Sequence, residues 1–102
     1  MREIDVADLE PALHDGATLV DVREAAEYAE GHVPGAVLLP MSQVSTRVGD
    51  LDSSAEVHVI CASGNRSAAI CDFLTAAGLD AVNVTGGTAA WIRSGRLVEG
   101  GL

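Results

Sequence analysis

Val57-His58-Val59-Ile60-Cys61-Ala62-Ser63-Gly64-Asn65-Arg66-Ser67 is the stretch on which the reading of this chain turns. Three of its first four residues, Val57, Val59 and Ile60, are β-branched and apolar, which predicts a buried strand. Ser63-Gly64-Asn65 predicts a tight turn, and Arg66 to Ala77 a helix with Gly78 just past its end. In open α/β sheets, ligands bind outside the carboxyl ends of the strands. A helix N-terminus there offers unpaired N–H groups and a partial positive charge. A thiol in that position ionises more easily because those donors stabilise the thiolate. By position alone Cys61 is also readable as a buried end-of-strand residue. The succession of strand, Cys, Gly-containing loop, Arg and helix favours a nucleophile.

The same stretch gives the loop its chemistry. Ala62, Ser63, Gly64, Asn65 and Arg66 can curl their amides around whatever the sulfur carries. Gly64 supplies permissive dihedrals, and Asn65 tolerates the left-handed region. Arg66 adds a fixed positive charge and a two-pronged donor set for an oxyanion. Ser67 can satisfy backbone donors at the helix start or bond the sulfur through its hydroxyl.

Outward from this unit the pattern repeats. Thr18 to Val22, Ala36 to Leu39 and Ala81 to Val84 are further short apolar runs that predict strands. Val6, Leu9 and Leu13 share a helical face, with Asp8 as the expected cap and Pro11 in the first turn. Glu24 to Glu30 predicts an acidic surface helix, and Ser42 caps a helix to about Val48. Gly31-His32-Val33-Pro34-Gly35 and Gly86-Gly87 are turns, Thr88 to Arg93 is a last helix, and the tail from Glu99 is expected to fray. Strands alternating with helices predict one α/β domain over residues 1–102 with a mainly parallel sheet.

Composition narrows the function classes. The chain has 102 residues, 48% hydrophobic, with six Arg, no Lys and fifteen acids, for a formal net charge of −9. Residues 1–30 carry nine acids against two Arg, whereas residues 57–102 carry three of each. Nucleic acid and anionic membranes require clustered cations, so neither is an expected partner. Three aromatic residues make no stacking platform for bases. The N-terminal residues lack a signal-peptide apolar run and no stretch is long enough to span a membrane, so the expected setting is cytoplasmic. Two cysteines, Cys61 and Cys71, make no disulfide framework. Three scattered His give no metal-ligand spacing, so no metal or other cofactor is expected.

Two stretches carry a close family resemblance. Leu19-Val20-Asp21-Val22-Arg23-Glu24, Glu27-Tyr28 and Gly31-His32-Val33-Pro34-Gly35-Ala36 form the first. Val59-Ile60-Cys61, Gly64-Asn65-Arg66-Ser67, Gly78, Gly86-Gly87, Trp91 and Gly95 form the second. In order and spacing the chain resembles a single-domain rhodanese of the sulfurtransferase family. The resemblance implies a three-layer sandwich with about five short strands and helices on both faces of the sheet. It implies that Cys61 takes a sulfane sulfur from thiosulfate or a persulfide, holds it as a persulfide, and passes it to cyanide or a thiol. A sulfur-accepting protein such as a thioredoxin fits the same chemistry. A relay domain that offers Cys61 to a partner protein without small-donor catalysis is the alternative.

Loop length separates relatives within this fold. Cys61 to Arg66 spans six residues, whereas related phosphatases and arsenate reductases resemble this fold with a seven-residue loop that holds a tetrahedral oxyanion. Two departures from the family bear on the donor. Ala62 follows the nucleophile where many members carry a large polar residue, and no Lys is present to hold a sulfonate. Both predict weak thiosulfate binding. The signature residues Asp21 and Arg23 read as a structural charge network at a strand end, and His32 as a loop-fixing residue. Cys71 reads as a small core residue or, less simply, as a resolving thiol for Cys61, and Trp91 as the anchor of the last helix.

Overall fold

A computed structural model describes residues 1–102. The elements in chain order are β1 (Arg2–Ile4), α1 (Val6–His14), β2 (Thr18–Asp21), α2 (Ala25–Glu30), β3 (Val37–Leu38), α3 (Val44–Arg47), β4 (Glu56–Ile60), α4 (Asn65–Ala76), β5 (Asp80–Val84) and α5 (Gly87–Arg93). The five strands form one sheet in the order β1-β5-β4-β2-β3, and every pairing is parallel. Parallel strands need crossover helices on the sheet faces, so both faces are covered and central strands become apolar throughout. In β4, Val57, Val59 and Ile60 are each at most 1% exposed. Each such side chain contributes about 1.5–3 kcal/mol by burial.

The pleat of β4 divides these residues between two cores. Val57, Val59 and Cys61 pack with Ile70, Cys71 and Leu74 of α4 and with Val44 of α3. Ile60 points the other way, among Leu9, Leu19, Tyr28, Val84 and Trp91. The central strand is thus held from both sides, and its carboxyl end, where Cys61 sits, has little freedom to move.

Four local readings need correction. The first strand, Arg2–Ile4, carries two charged residues and no apolar alternation, so nothing in its composition announces a strand. It forms at the sheet edge by pairing Arg2, Glu3 and Ile4 with Val82, Asn83 and Val84. The cap of α1 is Asp5, whose carboxylate accepts from the Asp8 amide at 3.0 Å, so Asp8 lies inside the helix. Pro11 then sits mid-helix at an exposed position. The segment after Ser42 breaks into a 3₁₀ turn at Met41–Gln43, the four residues of α3, and a 3₁₀ turn at Val48–Asp50. Its β-branched Val44, Thr46 and Val48 disfavour a longer α-helix. The tail is tied down, not frayed. Glu99 and His32 exchange backbone bonds of 2.9 Å each, and the Gly101 amide donates to Ala29 O at 2.8 Å.

Candidate active site at the Cys61 loop

Cys61 follows β4 immediately and is 1% exposed. The chain then turns through Ala62, Ser63 and Gly64 into α4. Gly64 is the N-cap, at φ +104°, and a Cβ there would lie 3.3 Å from the Gly86 amide nitrogen. Both the dihedral and the close approach call for glycine. No other residue type takes a positive φ, so Asn65 is the first residue of the helix and not a left-handed turn residue.

The turn brings donors onto the sulfur. The Gly64 amide donates to Cys61 Sγ at 3.1 Å, and Ser67 Oγ lies 3.3 Å from it. Burial pushes the thiol pKa up. The Ser67 hydroxyl and the amides of Ser67, Gly64 and Ser63 outweigh burial and hold it below the ordinary thiol value. Cys71 shows the contrast. It is fully buried among apolar side chains, and burial pushes its thiol up to about 12. That value suits a core residue and not a resolving thiol.

Behind the sulfur stands a residue that the sequence reading took only as part of a strand. Asn83 of β5 is 2% exposed. Its Oδ1 accepts from Ser67 Oγ at 2.6 Å, and its Nδ2 donates to Gly64 O at 3.3 Å and to Glu3 Oε2 at 3.1 Å. Because both Nδ2 partners can only accept, the orientation of the amide follows from the network. The signal was present in Ala81-Val82-Asn83-Val84: a polar side chain in a strand covered on both faces must find buried partners.

The loop start is clamped from α5. The amides of Thr88 and Ala89 donate to the carbonyls of Cys61 and Ala62 at 2.9 and 3.0 Å. This brings the backbones so close that a Cβ on Gly87 would stand 2.5 Å from Cys61 O.

Arg66 stands where the loop reading places it, but its charge is already engaged. Nη1 donates to Glu27 Oε1 at 2.8 Å and Nη2 to Glu27 Oε2 at 2.9 Å. The Arg66 guanidinium holds the Glu27 carboxyl at about 2. Ala62 is half-buried, while Ser63 and Asn65 are exposed at the loop surface.

The signature residues of the first stretch are brought close to one another. Arg23 donates through Nε and Nη2 to both Asp21 oxygens at 2.8–3.1 Å, and Nη2 also reaches Gly31 O at 2.9 Å. Both residues are buried, so this pair fixes the β2–α2 connection to the loop after α2. His32 Nδ1 donates to Tyr28 O at 2.8 Å, and its ring stacks on Tyr28 with centroids 3.6 Å apart. Trp91 is buried, and its Nε1 donates to Leu97 O at 2.8 Å. No group of three or more His, Cys, Asp and Glu is arranged to hold a metal ion. No helix is long and apolar enough to cross a membrane.

Known proteins are similar to this chain in sequence and in fold. A sulfurtransferase from Allochromatium vinosum is 38% identical over 98 residues, covering 93% of this chain and 92% of its own. The crystal structure of a rhodanese-related protein from Thermoplasma volcanium superposes with a TM-score of 0.91 at 37% identity, over 97% of this chain and 98% of that one. A rhodanese-like domain protein from Staphylococcus aureus gives 0.90 at 35% identity, over the whole of both chains. The family model for the rhodanese-like domain matches residues 5–94, from the cap of α1 to the residue after α5, and the chain belongs to that family.

Proposed function

We propose that this chain is a sulfurtransferase in which Cys61 carries the sulfur. The Cys61 thiolate attacks the outer sulfur of a donor. With a small persulfide, the new Cys61–S bond forms as the donor's S–S bond breaks, and the donor leaves as its thiolate. With thiosulfate the leaving group is sulfite. A thiol or cyanide then attacks the outer sulfur of the Cys61 persulfide, and the Cys61 thiolate is restored. Ser63, Gly64 and Ser67 hold the anionic sulfur through amide and hydroxyl donors, as an oxyanion hole holds oxygen.

The observation that carries this reading is the convergence of the Gly64 amide and the Ser67 hydroxyl on one buried Sγ. A ring of six residues from Cys61 to Arg66 suits one added sulfur better than a tetrahedral phosphate. The sulfurtransferase name of the A. vinosum relative supports the same class.

Intact mass after incubation with thiosulfate or a small-thiol persulfide tests it, together with thiocyanate formation from cyanide. The expected result is a gain of one sulfur atom and thiocyanate turnover, both absent in Cys61→Ser. Thiosulfate is the poorer donor because Ala62 and the absence of Lys leave its sulfonate few contacts. Loading only from a persulfidated protein would favour a relay domain instead. Release of phosphate from a phosphoester faster than sulfur transfer would overturn the reading.

A further inference from the structure

Glu27 is the one acidic side chain paired with the catalytic loop. It lies on α2, 39 residues before Arg66, and grips both Nη groups of the guanidinium. A bidentate carboxylate uses the fork through which Arg would otherwise hold a sulfonate or similar oxyanion. No other cation stands ready to replace it. Arg23 is buried against Asp21, while Arg2, Arg47 and Arg96 pair with Glu56 and Asp80, with Asp50, and with Glu10. Arg93 lies in the last turn of α5, about 9 Å along the axis from the end that touches Cys61.

We propose that Glu27 is a specificity-determining residue that acts through Arg66, turning the Cys61 loop away from dianionic sulfonate donors and towards persulfides. This rests on the sulfurtransferase reading above. Thiosulfate is a dianion whose charge is shared between its sulfonate oxygens and its outer sulfur, and the sulfonate needs a cation, so it binds well only if Arg66 leaves Glu27. Glu27 then loses its partner in a helix that also carries Glu24 and Glu30. A small persulfide carries at most one charge on its reacting end and has no sulfonate to anchor. It reacts with the ion pair still closed. In either case Cys61 gains one sulfur, and the electron pair of the broken S–S bond leaves with sulfite or with the donor thiolate.

Glu27→Gln makes a clean probe. Glu27 Oε1 also accepts from the Glu24 amide at 3.1 Å in the capping box of α2, and Gln keeps that oxygen. It loses the charge and turns an N–H towards Nη2 in place of Oε2, so the grip on Arg66 falls to the single bond at Oε1 and the guanidinium is released more easily. Kinetics with thiosulfate and with glutathione persulfide, each with cyanide as acceptor, give the ratio of the two kcat/KM values. The expected result is a rise in that ratio, thiosulfate over persulfide, of about fivefold, carried by a lower thiosulfate KM. The rise should vanish in the Glu27→Gln/Arg66→Ala double variant. In a Cys61→Ser background, Glu27→Gln should tighten thiosulfate binding by the same factor in calorimetry. An unchanged or lower ratio, or a rise that survives removal of Arg66, overturns the proposal while sulfur loading of Cys61 stands. If neither donor loads the native protein, the sulfurtransferase reading falls, and this proposal falls with it.

Discussion

The Ser67 hydroxyl has one proton and two claimants. Asn83 Oδ1 takes it at 2.6 Å, and Cys61 Sγ waits at 3.3 Å on the other side. With the thiol protonated, the S–H donates to Ser67 Oγ and the chain of bonds is complete. When the thiolate forms, the hydroxyl turns towards sulfur and Asn83 gives up a partner. Ser67 therefore favours the thiolate at a cost shared with β5. Ser67→Ala removes that donor, so the Cys61 pKa should rise. The rate of alkylation by iodoacetamide against pH reads this directly, and an unmoved midpoint would deny Ser67 its role. Much of this scale was legible in the linear chain. Cys61, Gly64 and Ser67 are local, and their roles follow from what a strand end and a helix start do. Asn83 and Glu27 were not legible as site residues, because their partners come from elements 16 and 39 residues away.

Among the elements, α5 is short but decisive. Its first amides hold the carbonyls of Cys61 and Ala62, and only a residue without Cβ fits at Gly87, where φ is +60°. Gly87→Ala combines a left-handed strain with contacts of 2.5–2.7 Å to loop backbone. It should destabilise the fold by at least ~2 kcal/mol and slow sulfur transfer about tenfold or more. Urea unfolding and thiocyanate turnover on the same preparation check both, and a variant with native stability would contradict the clamp. The unit β4–loop–α4 could be read from sequence because a strand covered on both faces is rich in β-branched apolar residues, here Val57, Val59 and Ile60. β1 could not, because an edge strand of two charged residues and Ile4 owes its structure to β5. The Gly86-Gly87 pair announced a turn, but only the fold reveals that the turn presses on Cys61 O.

Across the molecule, charge is arranged so that acids of the first third meet arginines of the neutral last half at two ion pairs, Glu10 with Arg96 and Glu27 with Arg66, and the second of these lies at the Cys61 loop. Its sign on stability is fixed. The Glu27 pKa falls from 4.5 to about 2 on folding, so its contribution is complete above 4.5 and is lost as pH falls through that interval. Both side chains are 38% exposed, and solvent screening limits the effect to about 1 kcal/mol. Comparing urea midpoints near pH 6 and about pH 2.5, the native protein should lose more stability than Glu27→Gln by that amount. Equal losses would mean the pair does not stabilise the fold. The strand order carries a consequence in time. Every group that readies Cys61 is synthesised after it: Ser67, then Asn83, then Thr88 and Ala89. The partner of β1 is likewise made late, since Arg2 must wait for Val82. A nascent chain therefore lacks the partners that β5 and α5 supply, and the Cys61 loop is complete only when the last strand and helix have closed over it.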